Sequence, residues 1–148
     1  MSVRFVLRPA NEADFAFVHS LRAAAYHAWV EGRYGVWDDQ DQRRRLRAAW
    51  AAGAHRIVLV SEDRVGYVDW FVGGRAELRN IVLASEVRGM GLGTEILGHL
   101  LAEADARRRS VWLQAFPENP AVRLYRRLGF VEESVRNGRL QMVRPPKS

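Results

Sequence analysis

Val87-Arg88-Gly89-Met90-Gly91-Leu92-Gly93-Thr94 is the stretch on which the reading of this chain turns. Just before it runs a branched apolar segment, Ile81-Val82-Leu83, with the character of a strand end. Just after it, Ile96, Leu97, Leu100 and Leu101 recur at helical spacing. Glycines therefore stand at a strand-to-helix junction, where the first turn of a helix has N–H groups without intrahelical acceptors. Glycine there admits a positive φ and keeps side chains away from a ligand. Unpaired N–H groups and the positive end of the helix dipole favour an anion, most often a phosphate. Arg88 adds a positive charge at the rim. An ordinary turn uses glycine too, so spacing must discriminate. A Walker A loop ends in Gly-Lys-Ser/Thr, and no lysine is present in this stretch. A dinucleotide-binding loop places its third glycine three residues after the second, with an acidic residue about 20 further on. Here Gly93 follows Gly91 by only two.

A second motif follows downstream, Asn119-Pro120-Ala121-Val122-Arg123-Leu124-Tyr125-Arg126-Arg127-Leu128-Gly129-Phe130. Between the two lies an apolar strand, Val111-Trp112-Leu113-Gln114-Ala115. Arg88-x-x-Gly91-x-Gly93 after a branched strand and before an amphipathic helix resembles the acetyl-CoA loop of the GNAT superfamily of N-acetyltransferases. The Asn…Ala…Leu-Tyr…Leu-Gly-Phe run is similar to that family's second cofactor motif. The likeness is most specific over residues 77–130 and rests on element order alone across residues 3–72. Two positions depart from the pattern. Asn119 stands six residues before Tyr125 where seven is usual, with Glu118 in the usual place, and Ser85 stands where proline is frequent.

Composition agrees with a globular enzyme. With 148 residues, one domain is the default, and the chain is long enough to bury a core. Apolar content of 48% and charged content of 27% argue against disorder. No run of uncharged apolar residues is long enough to span a bilayer, and no secretory signal is read, so a cytoplasmic location without membrane contact is expected. Absence of cysteine removes disulfides, thiolate nucleophiles and zinc–thiolate sites together. No metal is expected either, because His19 and His27 lack carboxylates at ligand spacing. The net charge of +6 raises the question of nucleic acid. Its arginines are spread along the chain, and the clusters Arg43-Arg44-Arg45 and Arg107-Arg108-Arg109 read as solvated helix faces. A nucleic-acid partner is therefore disfavoured, while a positive field would still attract a polyanion such as CoA.

Taken in order, Val3 to Leu7 reads as a strand stopped by Arg8-Pro9. Asn11 with Asp14 forms a capping box, and Phe15, Val18, Leu21, Ala25 and Trp29 carry a helix to Gly32. Arg33 to Trp37 is a loop, and Asp38 and Asp39 open a second helix whose buried side is Leu46, Ala49 and Trp50. Strands follow over His55–Val60, Val65–Val72 and Glu77–Leu83, with turns at Glu62-Asp63-Arg64 and Gly73-Gly74. The central helix runs from about Gly91 to Arg107, and Val111–Ala115 should pair in parallel with Glu77–Leu83 because a helix crosses between them. Asn119-Pro120 caps a further helix, with proline at a first-turn position, and Gly129 ends it. Val131–Val135 and Arg139–Val143 flank Asn137-Gly138 as a hairpin. These elements make an α+β fold with a mixed sheet. With the resemblance, the expectation becomes a GNAT-like, mostly antiparallel sheet of about six to seven strands flanked by about four helices. Residues 1–148 would be a single acetyltransferase domain.

The resemblance also places a chemistry. Acetyl-CoA is the implied co-substrate, and the reaction is direct attack by a primary amine on the thioester, with no covalent enzyme intermediate. Main-chain N–H groups of Arg88, Gly89, Met90, Gly91, Leu92, Gly93 and Thr94 would hold the pyrophosphate. Ile81, Val82 and Leu83 would meet the pantetheine arm, with main-chain pairing as in an added strand. A backbone N–H there would polarise the carbonyl, and Asn119 would touch the arm. Tyr125 is implied as the acid for the leaving thiolate, a phenol near 10 serving a thiol near 8.5; its other reading is a packed aromatic. Glu77, eleven residues before Arg88, is the implied base, and a solvent-facing strand residue otherwise. Strand alternation puts Glu77, Arg79 and Ile81 on one face and Leu78, Asn80 and Val82 on the other. A bulge would bring Asn80 to the site instead. Trp29, Tyr34, Trp37 and Asp38 would border the acceptor, with an N-cap as the ordinary role of Asp38.

The acceptor is read as a small-molecule or peptide amine, and the assembly as a monomer or homodimer. Two rivals stand beside this reading. One is a catalytically weak acyl-CoA-binding sensor or interaction module, which would keep CoA affinity after Tyr125→Phe yet release no thiol with acceptors. The other is an acetyltransferase acting on an RNA-linked amine, which predicts steep salt dependence of RNA binding.

Overall fold

Period-two strands and period-3.6 helices alternate along the chain as the hydrophobic spacing requires. In the computed structural model, which describes residues 4–147, the order is β1 (Val6–Pro9), a 3-10 turn (Glu12–Asp14), α1 (Phe15–Tyr34) and α2 (Asp39–Trp50). There follow β2 (His55–Val60), β3 (Asp63–Val72), β4 (Ala76–Leu83) and a second 3-10 turn (Ser85–Val87). The chain continues through α3 (Leu92–Ala106), β5 (Val111–Ala115), α4 (Ala121–Arg127), β6 (Val131–Arg136) and β7 (Arg139–Arg144). Seven strands form one sheet in the order β1-β2-β3-β4-β5-β7-β6. The β4–β5 pair is parallel, as the crossover through α3 demands, while β1–β2, β2–β3, β5–β7 and β6–β7 are antiparallel. This is the mixed, mostly antiparallel α+β architecture expected.

Two compact units divide the chain, residues 4–69 with 80–90 and residues 70–79 with 91–147. In the first, the capping box is realised: Asn11 Oδ1 accepts from the Ala13 N–H at 3.0 Å, and Asp14 Oδ2 accepts from the Asn11 N–H at 2.9 Å. The Arg8 guanidinium forks onto the same buried Asp14 at 2.7 and 2.9 Å. The core of this unit is Phe15 and Val18 of α1, Leu46 of α2, Ile57 of β2, Tyr67 of β3 and Val82 of β4. Trp50 stands edge-on to Phe15 with ring centroids 5.2 Å apart. Gly66 of β3 lies so close to β4 that a Cβ there would come 2.6 Å from the Val82 carbonyl oxygen.

In the second unit, Leu92, Ile96, Leu97, Leu100, Leu101 and Ala104 give α3 its buried stripe. Val111, Leu113, Phe130 and Met142 are also buried in this unit. Trp70 Nε1 donates to Glu103 at 2.6 Å. Buried Arg144 donates to both oxygens of Asp105 and to the Leu128 carbonyl. The β6–β7 turn is the expected one, with Asn137 and Gly138 both at positive φ (53° and 75°).

Boundaries differ from expectation at particular places. Val3, the expected start of the first strand, lies outside the described residues. The strand itself begins at Val6 and includes Arg8 and Pro9, which pair with Ile57 and Arg56. Proline is accommodated because β1 is an edge strand and Pro9 is its last residue. Helix α1 passes through Gly32 and ends at Tyr34, because the positive φ needed to stop it occurs at Gly35 (97°). Arg33 and Tyr34 are thus helical rather than loop. Ser61 and Glu62 take up the positive φ of the β2–β3 turn, which releases Asp63 and Arg64 into β3.

Candidate active site

Helix α3 starts on Gly91, which adopts the left-handed conformation (φ 78°) as N-cap. Its carbonyl accepts the first intrahelical bond, from the Glu95 N–H at 3.1 Å, and no side chain caps the turn. The N–H groups of Leu92, Gly93 and Thr94 therefore project from the helix start with the dipole behind them. Gly89 shares the positive φ (76°), and a Cβ added at either glycine would meet nothing within 4 Å. Conformation, rather than crowding, calls for glycine here, and the space in front stays open. A diphosphate fits such a turn. Leu92 is buried beneath it, and Met90 is half-exposed.

Arg88 is less free than its place in the loop suggests. Its main-chain N–H donates to the Ser85 carbonyl at 3.3 Å, and its Nε donates to the Leu83 carbonyl at 3.0 Å. The Ala84 N–H bonds to Val65 of β3, so in an alternating strand the main chain of Ile81 and Leu83 faces the opposite edge. On that edge the Ile81 N–H donates to Asn80 Oδ1 at 2.9 Å. The two groups expected to receive the pantetheine arm thus each meet a side chain of their own segment. Val82 points into the core.

Asn80 is the centre of a network that sequence reasoning missed. Tyr26 of α1 donates to Asn80 Oδ1 at 3.0 Å, and Asn80 Nδ2 donates to the Tyr67 hydroxyl at 3.0 Å. Burial pushes both phenols above their ordinary range, Tyr67 the further. Tyr26 was hidden among apolar neighbours, and its one signal was its position four residues after Arg22 on the same helix face.

The other expected acceptor residues share this unit. Trp29 packs edge-on to Tyr34 (centroids 6.0 Å apart), with the Arg33 guanidinium over the Trp29 ring. Trp37 stacks flat on His27 at 5.0 Å. Asp38 takes its ordinary role, Oδ1 accepting from the Asp41 N–H at 3.1 Å as the N-cap of α2. Its neighbour Asp39 receives Arg43 and His19, whose hydrogen bonds hold its carboxyl down at about 2.

In the second unit, Glu77 pairs across the sheet with Trp112, and its carboxylate lies between Arg79 (3.2 Å) and Arg75 (3.6 Å). The expected alternation persists along β4, with Ala76, Leu78 and Val82 buried and Arg79 exposed. Tyr125 is buried on α4, edge-on to Phe130 at 5.8 Å. Asn119 spends its side-chain oxygen on the Ala121 N–H at 2.9 Å, which makes it a cap for α4.

Residues 18–130 match the Acetyltransferase (GNAT) family, and the chain belongs to that family. Over 139 residues it is 30% identical to an L-methionine sulfoximine/L-methionine sulfone acetyltransferase of Pseudomonas paraeruginosa, covering 84% of this chain and 78% of that one. Over 71 residues it is 39% identical to an uncharacterised N-acetyltransferase of Methanocaldococcus jannaschii, covering 47% of this chain. The chain spans only 31% of that relative's length. A PaiA N-acetyltransferase of Thermoplasma acidophilum, solved in complex with coenzyme A, shares the fold. It superposes with a TM-score of 0.71 over 96% of this chain and 99% of its own, at 13% identity. Among the described residues, no helix is long and apolar enough to cross a membrane.

Proposed function

We propose that this chain moves an acetyl group from acetyl-CoA to a primary amine by direct attack in a ternary complex. The observation that carries the reading is the start of α3, an uncapped helix turn led by two positive-φ glycines with open space in front. The coenzyme A complex of the T. acidophilum protein and the acetyltransferase name of the P. paraeruginosa relative support it. The family match runs through both units, which supports a single catalytic domain.

Acetyl-CoA supplies an activated acyl carbon and a thiolate leaving group. The N–H groups of Gly89 to Thr94, with the Arg88 guanidinium, hold the diphosphate, where the helix dipole adds to hydrogen bonding. The main chain of Ile81 and Leu83 positions the arm as a strand would, and a main-chain N–H polarises the carbonyl. The acceptor nitrogen forms its bond to the acyl carbon as the C–S bond breaks. Glu77 takes the proton that the nitrogen sheds, and Tyr125 gives one to the thiolate. Summed, one proton passes from amine to thiol, so no oxidant or metal enters the balance. The Trp29–Trp37 segment and Asn80 border the acceptor.

Calorimetric titration with CoA and an assay of free CoA across a panel of amines test the proposal. Binding of CoA together with amine-dependent thiol release is expected. Binding without release from any amine identifies a sensor, and failure to bind CoA removes the reading altogether.

A further inference from the structure

We propose that Arg22, Tyr26 and Asn80 form a recognition site for an amine acceptor that carries a carboxylate, an α-amino acid or close relative, with Arg22 holding the carboxylate. This rests on the acetyltransferase reading, since Asn80 adjoins the Ile81 main chain that the reading assigns to the thioester arm.

The orientation of the Asn80 amide is fixed by what surrounds it. A main-chain N–H can only donate, so the atom receiving Ile81 at 2.9 Å is the carbonyl oxygen Oδ1. The amide nitrogen then faces Tyr67, whose hydroxyl oxygen accepts at 3.0 Å. Tyr26 spends its hydroxyl proton on Oδ1. The lone pairs of the Tyr26 oxygen are left to accept, which suits an N–H of a bound amine.

Arg22 lies one helical turn before Tyr26, and its charge acts on both phenols of the network. It is half-buried. Among the described residues, its hydrogen bond goes to a neutral oxygen, Oε1 of Gln42 at 2.8 Å. Elsewhere the arginines Arg8, Arg43, Arg45, Arg47 and Arg144 each meet a carboxylate at 2.7–3.0 Å. A partly desolvated guanidinium whose partner is an amide has four N–H donors and a full charge still to offer. The ligand chemistry that matches is a carboxylate, and bidentate pairing gives it a defined orientation. Arg88 also bears on Tyr26. With Arg88 committed to the cofactor diphosphate, Arg22 remains available to the acceptor. Positive charge at this spot also favours the neutral, nucleophilic form of a bound amine over its ammonium.

The test compares L-amino acids with their amides and their decarboxylated amines as acceptors for the full chain, following free CoA. The acids are expected to exceed both by at least about tenfold in kcat/KM, the lower end for a charge-assisted hydrogen bond. Arg22→Gln should raise KM for the acids about 10- to 100-fold. It should leave kcat, the KM of the amides and the dissociation constant of CoA unchanged. Arg22→Lys should restore part of the preference. Amides or amines that serve as well as acids on the unsubstituted protein overturn the inference, whether or not the variants fold. Acids unaffected by Arg22→Gln overturn it as well. Absence of CoA binding, or of turnover with every amine, instead overturns the acetyltransferase reading beneath it.

Discussion

The Nε of Arg88 lies 3.0 Å from the carbonyl oxygen of Leu83 and ties the rim of the glycine loop to the last residue of β4. One bond thereby couples the segment assigned to the diphosphate with the segment assigned to the thioester arm. Arg88→Met removes that tie and a positive charge while keeping much of the side-chain bulk. CoA affinity should fall about two- to fivefold, as for one exposed charged contact, with a change in Tm of no more than a few degrees. Calorimetry and thermal melting check both, and unchanged affinity would separate Arg88 from the cofactor.

Gly91→Val forces a β-branched residue into φ 78°. The left-handed conformation costs an L-residue about 1–2 kcal/mol or more. Any relaxation would also turn the first N–H groups of α3 away. CoA binding should be lost, with folding retained by circular dichroism.

Tyr125→Phe keeps the edge-on packing against Phe130 and removes only the hydroxyl. If that hydroxyl protonates the thiolate, kcat should drop about 100-fold with CoA affinity unaltered. A drop in affinity alone would return Tyr125 to a packing role.

For Glu77 the decisive measurement is the pH profile of kcat/KM. Glu77→Gln should abolish the acidic limb, because an amide takes no proton at any pH in range. A profile that keeps its shape would exclude Glu77 as the base.

Acid stability should report on Asp14. The hydrogen bonds from Arg8 lead the causes that hold its carboxyl at about 2, against an ordinary 3.8. Since the folded value is the lower one, the ionised carboxylate stabilises the protein above about pH 4, and that contribution fades as pH falls towards 2. Asp14→Asn should cost about 2 kcal/mol at pH 7. It should also flatten the loss of stability between about pH 4 and 2 in urea titrations.

Much of the fold was legible because it depends on local signals. The Asn11–Asp14 capping box, the parallel placement of β5 and the Asn137-Gly138 hairpin all follow from short-range rules. Boundaries at Pro9, Tyr34 and Asp63 were not legible, since edge position and the choice of positive-φ residue decide them. The glycine loop was readable for the same local reason. The Tyr26–Asn80–Tyr67 network was not, because its members come from three elements and only folding brings them within 3.0 Å. The capping role of Asn119 was legible from its place before Pro120.

Gly66 leaves β3 without a side chain where Val82 and Leu83 pass. The end of the neighbouring strand therefore passes directly over bare main chain at this point. A single methyl at position 66 would meet the Val82 oxygen at 2.6 Å and act as a shim, lifting that tip. At position 66, therefore, no side chain can be accommodated unless the main chain of β4 gives way.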